Sequence, residues 1–256
     1  MKGVLLAGGL GTRLLPMTRV TNKHLLPVYN RPMICYPLQQ FVHAGITDVL
    51  VVTGAENKDD FLSLLGDGHE FGLKHLHYTH QEGHGGIADA LLLAEVFAAG
   101  GPVAVLLGDN IFQDPLEKAI SDFQTNPDGA VILLKEVDDP ERFGVATIDG
   151  DRVASVAEKP REPDSRLAVT GCYLYDNRVF DVIRTLEPSQ RGELEITDVN
   201  KQYIKWGAMK HHILTGWWTD AGTVASLHRA GAVSYTHLRA HETLRYLVCR
   251  LLLEKK

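Results

Sequence analysis

A short apolar run that ends in three closely spaced glycines constrains this chain more than any other feature. Val4, Leu5, Leu6 and Ala7 have the composition of a strand buried on both faces, as a central strand of a parallel sheet must be. Gly8, Gly9 and Gly11 follow at once and leave the backbone bare, so amide groups can approach a base or phosphates where a Cβ would intrude. Thr12 continues the loop, and Arg13 and Lys23 add a planar cationic fork and a mobile point charge, the pairing a polyphosphate requires. Strand, loop and cations together read as a grip for a nucleoside triphosphate. A lone GGxG would read better as an ordinary strand-to-helix turn. The spacing also matches neither of two common phosphate loops: Leu14 stands where G-x-G-x-x-G needs its third glycine, and no Gly-Lys-Ser/Thr follows.

Size and charge narrow the class. With 256 residues, 45% hydrophobic and 23% charged, the chain can bury the core of one large α/β domain. A formal charge of -6 argues against a general nucleic-acid binder, so any phosphate site must be local. No stretch of about 18 apolar residues and no signal-like leader appears, which gives no support for membrane spanning or export. Cys35, Cys172 and Cys249 are odd in number and lack metal-type spacing, which fits a reducing cytoplasm.

Strand-like runs recur at Gly3 to Ala7, Asp48 to Thr53, Pro102 to Leu107 and Ala130 to Lys135, with helical patterns between them at Met33 to Ala44, ended by Gly45, and Ala88 to Ala99. This alternation predicts an α/β fold with a mostly parallel central sheet flanked by helices. From Gly144 onward the texture shifts to shorter alternating strands, with a hairpin expected at Asp149, Gly150 and Asp151. His75 and His77 would share one face of a strand, but no Cys or carboxylate completes a tetrahedral metal set with them.

Two carboxylates stand at strand ends far apart in sequence. Asp109 follows the apolar run Leu106-Leu107-Gly108, where open α/β sheets bind ligands, and taken alone it reads equally as a helix cap. Asp220 lies in the run Gly216-Trp217-Trp218-Thr219-Asp220-Ala221-Gly222-Thr223. If the two met over one cleft they would offer Mg²⁺ the hard oxygen ligands it prefers. Gln81 precedes a glycine-bearing segment, QEGHGGIADALLLA. Its amide could pair with a pyrimidine edge while Gly86 lets backbone come close; it could also be a surface residue before a helix. Glu158-Lys159-Pro160, taken alone, is a solvated turn.

These motifs, in this order, resemble those of the sugar-phosphate nucleotidylyltransferases, and within them the glucose-1-phosphate thymidylyltransferase branch. GGLGTRLLPMT followed by NKHLLPV carries the resemblance, together with the GDN, F-G-V, E-K-P and W-x-D-x-G-T elements, from Lys2 to about Ala230. Departures fall at Asn22 and His24 around Lys23, and at Asp89, where members often have a second Gln.

The resemblance implies a Rossmann-like nucleotidyltransferase fold with a smaller strand-rich part for the sugar. It implies a nucleotide site formed by Leu6, Gly8, Gly9, Gly11, Thr12, Arg13, Gln81 and Gly86. Gly144, Glu158, Lys159 and Val169 would hold the sugar phosphate, and Asp109 and Asp220 would hold Mg²⁺. Arg13, Lys23, Asp109 and Lys159 would carry the chemistry, in which the phosphate oxygen of a hexose 1-phosphate attacks the α-phosphorus of a nucleoside triphosphate and pyrophosphate leaves. The nucleophile is already an anion, so positioning and charge neutralisation dominate and no general base is demanded. The expected substrates are dTTP and glucose 1-phosphate, with uridylyl transfer or a non-catalytic sugar-nucleotide sensor as alternatives. Neither nucleic acid nor membrane is an expected partner, and homo-oligomerisation is left open.

The resemblance defines a single domain over residues 1–232 and stops there. Residues 233–256, VSYTHLRAHETLRYLVCRLLLEKK, instead resemble a run found at the ends of unrelated conceptual translations, where reading through a sequencing adapter produces it.

Overall fold

The strand Lys2–Ala7 (β1) sends Val4 and Leu6 into one buried cluster and Leu5 and Ala7 into another. A strand whose alternate residues are both buried must sit between two layers. The computed structural model describes residues 1–234, and in it those layers are helices on both faces of a sheet.

After β1 come a small hairpin of β2 (Pro27–Val28) and β3 (Arg31–Pro32), then α1 (Cys35–His43), β4 (Asp48–Gly54), α2 (Lys58–Leu65) and β5 (His75–Gln81). There follow α3 (Ile87–Leu92), α4 (Glu95–Ala98), β6 (Val103–Leu107), β7 (Asn110–Phe112) and α5 (Glu117–Thr125). The second half comprises β8 (Ala130–Glu136), β9 (Gly144–Asp149), β10 (Arg152–Glu158), β11 (Leu167–Tyr175), α6 (Val179–Arg184), α7 (Ile196–Lys205), β12 (Met209–Ile213) and β13 (Trp218–Asp220). Helix α1 ends where sequence predicts. Gly45, at φ +73°, lets its own N–H reach Val42 O and that of Ile46 reach Phe41 O, closing the helix with paired carbonyls. The run from Ala88 to Ala99 is two helices rather than one, because Ala94 donates to Leu91 three residues back and tightens the chain between them.

Nine strands make one sheet in the order β5-β4-β1-β6-β11-β8-β12-β10-β9. The first four are parallel to one another, as are β8 and β12. Strand β11 enters antiparallel between β6 and β8, and β10 pairs antiparallel with both β12 and β9. The architecture is the expected α/β one, and the strand-rich second half continues the same sheet. The β9–β10 hairpin turns through Gly150 and Asp151, with Asp149 paired to Arg152. His75 and His77 share an exposed face of β5, and among the described residues no group of three or more His, Cys, Asp or Glu could hold a metal. Cys35 and Cys172 are buried free thiols that burial pushes up, while Cys249 and the run to residue 256 lie outside the described residues. No helix among the described residues is long and apolar enough to cross a membrane.

A two-stranded antiparallel ribbon of β7 and β13 sits over the end of the sheet, with Asp220 opposite Asn110 and Ala221 N donating to Asp109 O at 2.7 Å. Buried Asn110 ties it down. Its Oδ1 accepts from Gly171 N at 2.9 Å and Trp218 Nε1 at 2.7 Å, and its Nδ2 donates to Asp109 Oδ1 at 3.0 Å. Asn110→Ala should strand two buried donors and cost on the order of 3 kcal/mol, read as a lower urea midpoint with unchanged slope.

Beneath the ribbon, His24 is buried against Gly108, where an added Cβ would lie 2.7 Å from the ring. Asn22 Oδ1 accepts the His24 backbone N–H at 3.0 Å and lies 2.7 Å from Nδ1. Burial, and then the Lys23 charge, lower the imidazole to about 3, so it stays neutral in the fold. An unfolded chain binds a proton there below about 6.5 that the native state refuses, so stability falls as pH drops from about 6.5 toward 3. Between pH 7 and pH 5 the wild type should lose about 2 kcal/mol more than His24→Gln in urea titrations. Parallel pH dependences would contradict this.

Candidate active site

The motif residues converge on one cleft of about 590 Å³ at the carboxyl ends of β1, β5 and β6, where parallel sheets bind ligands. One side is lined by Leu6, Gly8, Gly9, Thr12, Arg13, Lys23, Gln81 and Gly86. Gly144, Glu158, Lys159 and Val169 line the other side, with Asp109 and Asp220 also in the lining. Gly11 is the exception among the expected residues. It is not among the lining residues; at φ +62° it caps the short turn Thr12–Leu14, and a Cβ there would stand 2.9 Å from Thr18 Cγ2. The left-handed backbone that glycine permits bends the loop there.

Gln81 ends β5 and is buried, with its amide nitrogen donating to Gly86 O at 3.0 Å and Asp89 Oδ2 at 2.6 Å. Gly8 is bare opposite it: a Cβ built there would sit 3.5 Å from Gln81 Oε1. Gly86, at φ +93°, packs so closely that a Cβ would meet Leu194 O at 2.6 Å.

Charges face each other at the centre. Lys23 Nζ donates to Asp109 Oδ2 at 2.6 Å, with both side chains largely buried. Burial opposes ionisation of Asp109, but the Lys23 and His24 environment and bonds from Lys23 and Asn110 outweigh it and hold the carboxyl below its usual range. Asp220 goes the other way: burial, then the charge of Asp109, raise it to about 6 against the opposing pull of Arg142, Arg13 and Lys23. Gly222 keeps the space beside the two carboxylates open. A Cβ there would lie 3.5 Å from Asp220 Oδ2, 3.7 Å from Asp109 Oδ2 and 3.4 Å from Arg13 Nη2. Two facing carboxylates around a gap that one methyl would fill are a donor set suited to a hard divalent cation.

On the far side, Lys159 follows β10 with φ +43°, a left-handed backbone that costs a non-glycine residue about 1 kcal/mol. Lys159 N–H donates to Phe143 O at 3.0 Å, fixing this turn across from Gly144. Gly144 leaves room for its neighbours, since a Cβ would be 3.4 Å from Glu158 Oε2 and 3.6 Å from Val169 Cβ. Glu158 Oε2 accepts from Thr197 Oγ1 at 2.8 Å. Val169 lies where the β11–β8 register shifts, a bulge that re-aims side chains next to the cleft.

Sequence reasoning missed several lining residues. Arg142 stacks 5.2 Å over the Phe143 ring and brings a nitrogen to 3.8 Å from Asp220 Oδ1; its signal was only its place beside the F-G-V motif. Thr197 and Asn200 come from α7, where two buried polar residues one turn apart on an otherwise apolar face were the available clue.

Comparison with known proteins gives the family. The nucleotidyl transferase family model matches residues 2–235. A glucose-1-phosphate thymidylyltransferase of Neisseria gonorrhoeae is 45% identical over 240 residues, covering 92% of this chain and 83% of the relative. One of Mycolicibacterium smegmatis is 42% identical over 231 residues, 89% of this chain and 80% of the relative. A Bacillus anthracis crystal structure, described as a glucose-1-phosphate thymidylyltransferase in complex with sucrose, superposes with TM-score 0.87 at 51% identity, covering 91% of this chain and 94% of that one. A UDP-glucose pyrophosphorylase complexed with UDP-glucose, 24% identical with TM-score 0.80 over 92% and 98% of the two chains, shares the fold. The chain is a member of the nucleotidyl transferase family.

Proposed function

We propose that this enzyme transfers a thymidylyl group from dTTP to glucose 1-phosphate, giving dTDP-glucose and pyrophosphate. The observation that carries the reading is the meeting, in one cleft, of Asp109, Asp220, Arg13, Lys23 and Lys159 with a buried amide on one side and Glu158 on the other. That arrangement occurs in a chain whose curated relatives at about 45% identity bear this name.

In this reading a phosphate oxygen of the sugar phosphate forms a bond to the α-phosphorus, the bond from that phosphorus to the oxygen bridging to the β-phosphorus breaks, and its electron pair leaves with pyrophosphate. No proton need move. The difficulty is bringing two anions together, and cations at fixed positions reduce it. Arg13 serves the departing pyrophosphate and the α-phosphate, Lys23 the triphosphate and the reacting oxygens, and Lys159 the phosphate of the sugar. Gly8 and Gly9 bring the loop backbone against the nucleotide, and Glu158 accepts hydrogen bonds from sugar hydroxyls. Mg²⁺ would be held by Asp109 and Asp220, and when bound it would neutralise charge on the α-phosphate. The free buried cysteines support a reducing cytoplasm as the place of work.

Thymine and uracil present the same hydrogen-bonding edge, so UTP is the competing donor, and one methyl separates them by about 1–3 kcal/mol. Pyrophosphate release measured with dTTP, UTP, CTP and ATP against several hexose 1-phosphates tests the proposal. The pair dTTP and glucose 1-phosphate should give the highest kcat/KM, and absence of turnover with every pair would favour a binding homologue.

Asp109→Asn and Asp220→Asn should each lower Mg²⁺-dependent kcat by ~10² to 10³. Near wild-type rates in either folded variant would remove the metal assignment. Arg13→Ala should depress kcat at saturating substrates, whereas Lys159→Ala should chiefly raise KM for the sugar phosphate. Equal rises in both Michaelis constants for Lys159→Ala would contradict its side of the cleft.

A further inference from the structure

Gln81 can present either end of its amide to a base, and which end faces the cleft decides what the base must offer. Its nitrogen has two hydrogens and both are taken, by Gly86 O at 3.0 Å and Asp89 Oδ2 at 2.6 Å. Two acceptors converge on that end of the side chain, so it is the NH₂ end and cannot be reversed without facing oxygen against oxygen. Oε1 is the end left over. It lies beside the bare Gly8, and among the described residues it accepts no hydrogen bond. Asp89 in turn has little freedom. It stands in the first turn of α3, and its carboxylate packs where a Cβ on Gly85 would be only 2.3 Å from Oδ2. The loop beneath is clamped as well, since Leu194 N–H donates to Gly85 O at 2.7 Å and Ala88 N–H to Leu194 O at 3.2 Å.

We propose that Asp89 is a specificity-determining positioning residue: by holding the Gln81 amide in one orientation, it makes the base site accept only a ring N–H. Uracil and thymine carry that N–H at N3, while cytosine has a lone pair there. A cytosine nucleotide would set lone pair against lone pair in a buried place, and a site built for a hydrogen bond rejects partners that leave it unmade. An aspartate suits this task better than an amide, because a carboxylate only accepts and an amide could serve either polarity. The inference rests on Gln81 as the base reader, so its test is made on nucleotide binding and does not need turnover.

Titration calorimetry of the full chain with dUTP and with dCTP isolates the edge, since neither base has the methyl group. The wild type should prefer dUTP by about tenfold or more. Asp89→Asn and Asp89→Ala should each cut that preference by about tenfold, chiefly by strengthening dCTP binding in the asparagine variant, where the amide pair can reverse. In a Gln81→Ala background, Asp89→Asn should change the ratio no further, because the two residues act as one unit; a merely structural role for Asp89 would add its effect in either background. An unchanged preference in both folded Asp89 variants overturns the proposal, as does a wild type that binds the two nucleotides equally or binds neither. If wild-type protein makes no nucleotide sugar but shows the Asp89-dependent preference, the activity reading fails and this one stands. If it turns over dTTP while the Asp89 variants keep the preference, the outcome is the reverse.

Discussion

One side chain, Asn110, joins the parts of this molecule that chemistry must bring together. It directly follows the strand-end carboxylate Asp109, and its two ends hold three partners: Asp109 itself, the backbone of Gly171 in β11, and the indole of Trp218 in β13. An apolar residue of the same size would leave those groups buried and unpaired, and an aspartate would push a second charge against Asp109. Gly171 has no Cβ where one would overlap the Asn110 amide at 2.5 Å. The loop after β6, strand β11 and the ribbon bearing Asp220 are thus registered on one amide.

Around that tie the cleft stores opposed charge. Asp109 is held ionised by Lys23, while Asp220, facing Asp109 across a short gap, is raised to about 6. The buried neutral His24 sits below without adding a third charge, because burial and the Lys23 ammonium both disfavour its proton. The centre is therefore prepared for ligands that bring their own charges. Arg13, Lys23 and Lys159 offer the cleft positive charge, and the two carboxylates offer it negative charge.

Much of this was legible in the chain. The β1 run, the glycine loop, the Gly45 helix stop and the hairpin at Gly150 follow from local rules that the structure obeys. What could not be read is non-local. Nothing in the sequence of β11 says that it lies antiparallel between β6 and β8, since that choice is made by pairings dozens of residues away. Arg142, Thr197 and Asn200 line the cleft through the same kind of folding, and each looks locally like an ordinary surface or helix residue. Gly11 has a phosphate-loop appearance, and its packing on Thr18 at a positive φ is a tertiary fact that the loop's own sequence does not carry. The polarity of Gln81 depends on an aspartate that α3 carries back to the end of β5, a fact of tertiary placement.

The reversed direction of β11 has one more consequence. Leu106 in β6 pairs with Cys172 in β11, and just beyond that pair Asn110 reaches Gly171, so the loop that carries Asp109 is held against β11. Asp109 follows the end of β6 and Val169 belongs to the neighbouring β11, and the spacing of those two strands, about 4.8 Å, is a property of the peptide ladder. The sheet acts as a ruler. Side chains lining either half can be exchanged to alter what is held without altering how far apart the two held molecules lie, and only a slip of register would move that mark.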